Sequence, residues 1–168
     1  VITMKDSSHT FSLDEPPEVQ VRSHDRYHEV MKECAPLPPL LTAIVHPVNE
    51  SDIVSVQDAV VEQLIMPVLV GPEERIRAAA VRAAIDLSAW EVIDAEHSHA
   101  SAEKAVALAS SGKVQAIMKG SLHTNELLSP IVAHDSGLRT ERRLSHAYIM
   151  DTAGYHKWLI VTDAVVNI

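Results

Sequence analysis

The chain has little that would support several common functions. It has one cysteine, Cys34, so it cannot form an internal disulfide, which fits a reducing compartment. No apolar run approaches the roughly 20 residues of a membrane helix, and no charged-then-apolar leader opens the sequence. We therefore expect a cytoplasmic protein with no membrane partner. Basic residues are outnumbered, 14 against 23 acidic, for a formal net charge of −9. That argues against a broad nucleic-acid or anionic-membrane surface, while leaving room for a local basic pocket. Glycine-rich nucleotide loops are missing: the five glycines, at 71, 112, 120, 137 and 154, are scattered and match neither a dinucleotide fingerprint nor a P-loop. What is present is ordinary globular composition, with 46% hydrophobic and 22% charged residues in 168, close to one domain by length.

The chain divides into three. Residues 1–20 are polar and aperiodic around Pro16–Pro17, and read as a linker or arm. Residues 21–39 read as a peripheral helix followed by a proline-rich connection. From residue 40 a rhythm begins. Apolar strand-like runs at 40–45, 66–70, 90–94 and 114–118 alternate with helical periodicities over 50–65, 73–85, a third ended by Gly112, and a fourth around Leu127–Val132. Asn49 with Asp52 three residues on has capping-box spacing. Four strand–helix units in a row predict a parallel sheet with helices on both faces. Residues 144–150 and 158–162 are again strand-like. Too few residues separate them for a crossover, so they should pair antiparallel and make the sheet mixed. The start at Val1 and the stop directly after an apolar strand lead us to expect a fragment or processed product.

Several segments can carry chemistry. Lys119–Thr124 joins a buried strand to a helix, the place where α/β sheets bind ligands and where helix N-termini suit phosphate. Gly120 permits close backbone approach, Ser121 and Thr124 offer hydroxyls, and Lys119 adds charge. By local pattern alone, a plain strand–helix turn explains it as well or better. Arg139, Arg142 and Arg143 form the densest basic cluster, either a phosphate receiver or a solvated loop. Ser145–His146 opens a strand and can hydrogen-bond a ligand or merely end the strand. Asp163 can serve as base, metal ligand or cap. His97 and His99 lack the partners of a zinc site, so no metal is expected, and Cys34 has no catalytic motif around it.

Taken in order, Ala43–Pro47, Pro67–Pro72, Ala116–Thr124, Gly137–Arg139, Leu144–His146 and Ile160–Asp163 resemble the phosphate acetyltransferase and phosphate butyryltransferase family. The likeness is strongest to the bifunctional enoyl-CoA hydratase/phosphate acetyltransferase type. It runs from about residue 26 to the end, and its Met118–Thr124 and Leu144–His146 blocks are specific only in combination. It implies a three-layer α/β fold like that of isocitrate and isopropylmalate dehydrogenases, two α/β domains with the site in the cleft between them. It also implies transfer of an acyl group between coenzyme A and phosphate by direct thiol attack in a ternary complex. Coenzyme A and phosphate or acyl phosphate would be the partners, with no cofactor beyond CoA as substrate. A homodimer and a fused upstream hydratase-like domain complete the expectation. Carried over, Lys119, Gly120, Ser121 and Thr124 would line the phosphate end, with Arg139, Ser145 and His146 near it.

The family's later half, which holds the presumed base, has no counterpart before Ile168, so residues 40–168 would be its first part and weak on their own. The alternative is a non-catalytic regulatory or dimerisation module of the same fold. A dehydrogenase is disfavoured because its metal-binding carboxylates are not recognisable.

Overall fold

The computed structural model describes residues 25–152, 155 and 157–167. The expected arm at 1–20 and residues 21–24 of the peripheral segment lie outside the described residues. The elements run α1 (Asp25–Cys34), β1 (Leu40–Val45), α2 (Glu50–Val61), β2 (Ile65–Gly71), α3 (Glu73–Ala83), β3 (Glu91–Asp94), α4 (Ser98–Ser110), β4 (Ala116–Lys119), α5 (Thr124–Val132), β5 (Ser145–Met150) and β6 (Leu159–Asn167).

Four strands form a parallel sheet in the order β3-β2-β1-β4. The interior strands β1 and β2 are covered on both faces, so they read as continuous apolar runs rather than as alternating ones. Alternate side chains feed two cores. Ala43, Val45, Val68 and Val70 pack with Ala102, Ala105 and Leu127 of α4 and α5. Ile44 and Leu69 pack with Ile53, Val56, Ile76 and Ala79 of α2 and α3. The result is the three-layer α/β architecture that the strand–helix rhythm predicts.

Two helices stop short of their periodicity. The pattern over 50–65 overruns α2, which ends at Val61. Gln63 takes a left-handed φ of 57° just beyond, and Leu64 donates back to the Ala59 carbonyl at 2.9 Å. Ala84, with φ 55°, ends α3 in the same way.

The second difference concerns β5 and β6. They pair antiparallel as expected, Tyr148 opposite Val161 and Met150 opposite Leu159. They form their own two-stranded sheet instead of joining the parallel one. The edge strands β3 and β4 have only four residues each, a short platform for a further ladder. β6 also runs longer than predicted, to Asn167, with a register irregularity between Ser145 and Ala147. Asp163 has φ 60° in that stretch and accepts the Thr162 hydroxyl at 3.1 Å.

The chain passes from β1 outward through β2 to β3, and α4 then returns it to the opposite side of β1, where β4 pairs. The boundary between β1 and β4 is therefore a topological switch point, and the crevice beyond their carboxyl ends is where such sheets place ligands.

Candidate functional site

At the carboxyl end of β1 the chain turns at His46, a non-glycine residue with φ 57°. Left-handed backbone at a histidine is strained and persists only where its surroundings fix it. Here the His46 N–H donates to the Val70 carbonyl at 2.7 Å. The side chain is 5% exposed, with Nδ1 3.2 Å from Ser101 Oγ. The Ser101 hydroxyl donates its one proton to the His97 carbonyl at 2.7 Å. Ser101 must therefore accept from His46, which fixes the proton on Nδ1 and leaves a lone pair on Nε2. Burial, followed by the Arg75 charge, pushes the His46 pKa below its ordinary value, and Glu126 and Asp52 oppose this only in part.

The turn after β4 locks onto the same place. Gly120 donates to the Val45 carbonyl at 2.9 Å and Ser121 N–H to the His46 carbonyl at 3.1 Å. A Cβ on Gly120 would lie 2.6 Å from the Val45 oxygen and 3.1 Å from both the His46 oxygen and Pro47 Cα, so only glycine allows this approach. Ser121 Oγ donates to Asp52 at 2.5 Å and accepts from the Asn49 amide at 2.6 Å, tying the start of α5 to the start of α2. Asp52 also accepts from the Asn49 backbone at 3.2 Å, so the predicted box spacing serves as a cap.

A third helix start joins them. His97 caps α4 by accepting from Ala100 N–H at 3.1 Å. Glu126 accepts from His123 N–H at 2.7 Å and from the Ser98 hydroxyl at 2.8 Å, linking α5 to α4. Those two hydrogen bonds, the backbone one first, hold the Glu126 carboxyl below its usual pKa. The three helix starts enclose an open cavity of about 470 Å³ lined by His46, Asn49, Ser98, Ser121, Leu122, His123 and Glu126. No lysine or arginine lines it.

The candidates from sequence are distributed around this cavity. Ser121 lines it and Gly120 supports it from below. Lys119 and Thr124 flank it, both exposed, with Lys119 Nζ 3.3 Å from the Gly120 carbonyl. Arg139 lies elsewhere, in a second cavity with Leu138, Arg142, Arg143 and the end of α5, where its guanidinium donates to the Val132 carbonyl at 3.2 Å. Ser145 and His146 stand on β5, with the His146 ring edge-on to Tyr148 at 4.8 Å, and line neither cavity. His97 and His99 are both exposed, and among the described residues no group of three or more His, Cys, Asp or Glu is placed to hold a metal ion. No helix among them is long and apolar enough to cross a membrane.

Sequence reasoning missed His46, Ser98 and Glu126 as members of the cavity. His46–Pro47 reads as a strand breaker, and the His123-x-x-Glu126 spacing is the one signal that marks a second box.

No family profile matches the chain. The fold is similar to that of a phosphotransacetylase from Staphylococcus aureus, with a TM-score of 0.60 at 12% identity, over 83% of this chain and 50% of that one. The class is thus a phosphotransacylase-like α/β fold. In sequence, the chain is 48% identical over 132 residues to a phosphate acetyltransferase of Rickettsia typhi, covering 79% of this chain and 38% of that protein. It is 28% identical over 141 residues to a phosphate butyryltransferase of Clostridium beijerinckii, covering 84% and 47%. The chain matches part of proteins named phosphate acetyltransferase and phosphate butyryltransferase, and spans less than half the length of these relatives.

Proposed function

We propose that this chain is part of a phosphate acyltransferase that interconverts acyl-CoA and phosphate with acyl phosphate and CoA. The observation that carries the reading is the switch-point cavity beyond β1 and β4, built on the Met118–Thr124 turn. In the direction of thioester synthesis, the CoA sulfur attacks the acyl carbon of the acyl phosphate. The C–S bond forms, the bond from carbon to the phosphate oxygen breaks, and phosphate leaves with the electron pair, the thiol proton ending on the released phosphate. No enzyme nucleophile is required, which suits a chain whose one cysteine ends α1. Lys119 and Thr124, next in the chain to the turn that lines the cavity, are the groups we assign to the phosphoryl end, where developing charge needs donors.

The arginine-lined cavity supports the same reading. It lies at the far end of α5 from the switch point, about 12 Å along a nine-residue helix. A CoA molecule is long enough to set its phosphates at Arg139, Arg142 and Arg143 and its thiol at the switch point. Absence of a resident cofactor, a homodimer, a cytoplasmic setting and a hydratase-like domain upstream belong to this proposal. The test is phosphate-dependent release of CoA from acetyl-CoA and butyryl-CoA by the full polypeptide that carries this sequence. Turnover that requires phosphate supports the reading. Absence of release, or release independent of phosphate, overturns it in favour of a non-catalytic module.

A further inference from the structure

Among the buried polar residues Thr42, His46 and Ser101, only His46 lines the cavity. His46 is 5% exposed, and its Nδ1 is committed to Ser101. Its Nε2 makes no hydrogen bond among the described residues, and His46 is one of the residues that line the cavity. We propose that His46 is the thiol-binding residue of the site, its Nε2 accepting a hydrogen bond from the S–H of CoA, with Ser101 as the positioning residue that fixes the tautomer. The inference rests on the phosphate acyltransferase reading and names the group that takes the uncharged end of CoA.

The surroundings select a neutral donor over a phosphate. The N–H groups of the N-cap residues Asn49 and His123, before α2 and α5, are given to the carboxylates of Asp52 and Glu126. The Ser121 hydroxyl proton is given to Asp52. A dianion entering here would meet the Glu126 carboxylate on the lining, with Asp52 held behind Ser121, and no lysine or arginine on the lining. A thiol needs one acceptor and an apolar neighbour for its carbon chain, and finds Nε2 and Leu122.

Protonation state follows from the groups that face the ring. Asp52 of α2 and Glu126 of α5 favour the charged form. Arg75 of α3, His97 before α4 and burial oppose it, and the balance favours neutral imidazole. Protonated His46 has no lone pair to offer, so the contact is lost as pH falls through its lowered pKa.

The experiment is a binding cycle on the full polypeptide, with CoA and S-methyl-CoA as probes against wild type and His46→Gln. Wild type is expected to bind CoA about two- to four-fold more tightly than S-methyl-CoA, as one hydrogen bond from a weak S–H donor provides. His46→Gln should lose that preference while keeping the affinity for S-methyl-CoA. Ser101→Ala, which leaves the ring in place, should move His46 toward the Nε2–H tautomer in its imidazole ¹⁵N shifts and erase the same preference. Equal preference in wild type and both variants overturns the inference, as does a His46 resonance that responds to inorganic phosphate but not to CoA. If phosphate-dependent CoA release is normal and the cycle shows no coupling, this inference alone falls. If the coupling is present without release, the thiol site stands and the transferase reading falls.

Discussion

The four-stranded body and the β5–β6 ribbon are both written in apolar residues, yet they meet solvent very differently. Ile44 in β1 is 1% exposed, whereas Ile149 and Ile160 in the ribbon are 69% and 67% exposed. Leu40–Val45 and Ser145–Met150 both read locally as strands, although the second opens on Ser145–His146. The difference is made by α2 to α5, which cover both faces of the parallel sheet, whereas neither core cluster includes a ribbon residue, and the Arg26 side chain of α1 donates to Asp151 and the Tyr155 carbonyl in the connection between β5 and β6. Apolar runs therefore locate strands, and the helices decide which strands become core.

That contrast gives an ordered set of expectations. The largest effect is in the body: Ile44→Ala should cost about 2–5 kcal/mol, because the covered site cannot collapse fully. Ile160→Ala in the ribbon should stay within about 0.5 kcal/mol. Urea midpoints of the two variants check this, and comparable losses would break the comparison. Next is Gly120→Ala. Its Cβ would press on the Val45 carbonyl at 2.6 Å, backbone against backbone, and should cost about 1–3 kcal/mol while deforming the cavity floor.

A smaller effect is the pH dependence carried by His46. Its folded pKa is lowered from 6.5, so below about that pH the unfolded chain binds a proton that the folded chain resists. Stability should fall as pH drops from 7.5 toward 5.5. His46→Gln should show a shallower fall in urea midpoints over the same range, and an unchanged slope would remove the buried neutral histidine from the account. The smallest effect belongs to the Arg26–Asp151 pair at 3.0 Å, which is partly exposed. Arg26→Ala should cost less than about 1 kcal/mol by thermal unfolding.

The order of elements was legible because each strand and helix carries its own period. The ends of α2 and α3 were not, since Gln63 and Ala84 adopt left-handed turns that no glycine announces. The separate ribbon was not legible either, because pairing between strands far apart in sequence leaves no local mark. In the site, the Lys119–Thr124 turn was found from its position between a strand and a helix. His46 was hidden because its role comes from Ser101, 55 residues on, and Asp52 reaches Ser121 only once α2 and α5 start side by side. The arginine cluster was visible as charge, but its distance from the turn along α5 emerged only with the fold.

The central claim is that the reacting end of CoA sits at the switch point beyond β1 and β4. Titrating CoA into the ¹⁵N-labelled chain and following backbone amide resonances tests it most directly. The account expects saturable shifts at His46, Ser98 and Gly120–His123, with a second set near Arg139–Arg143. Shifts confined to α1 or the ribbon, or none at millimolar CoA, would contradict it.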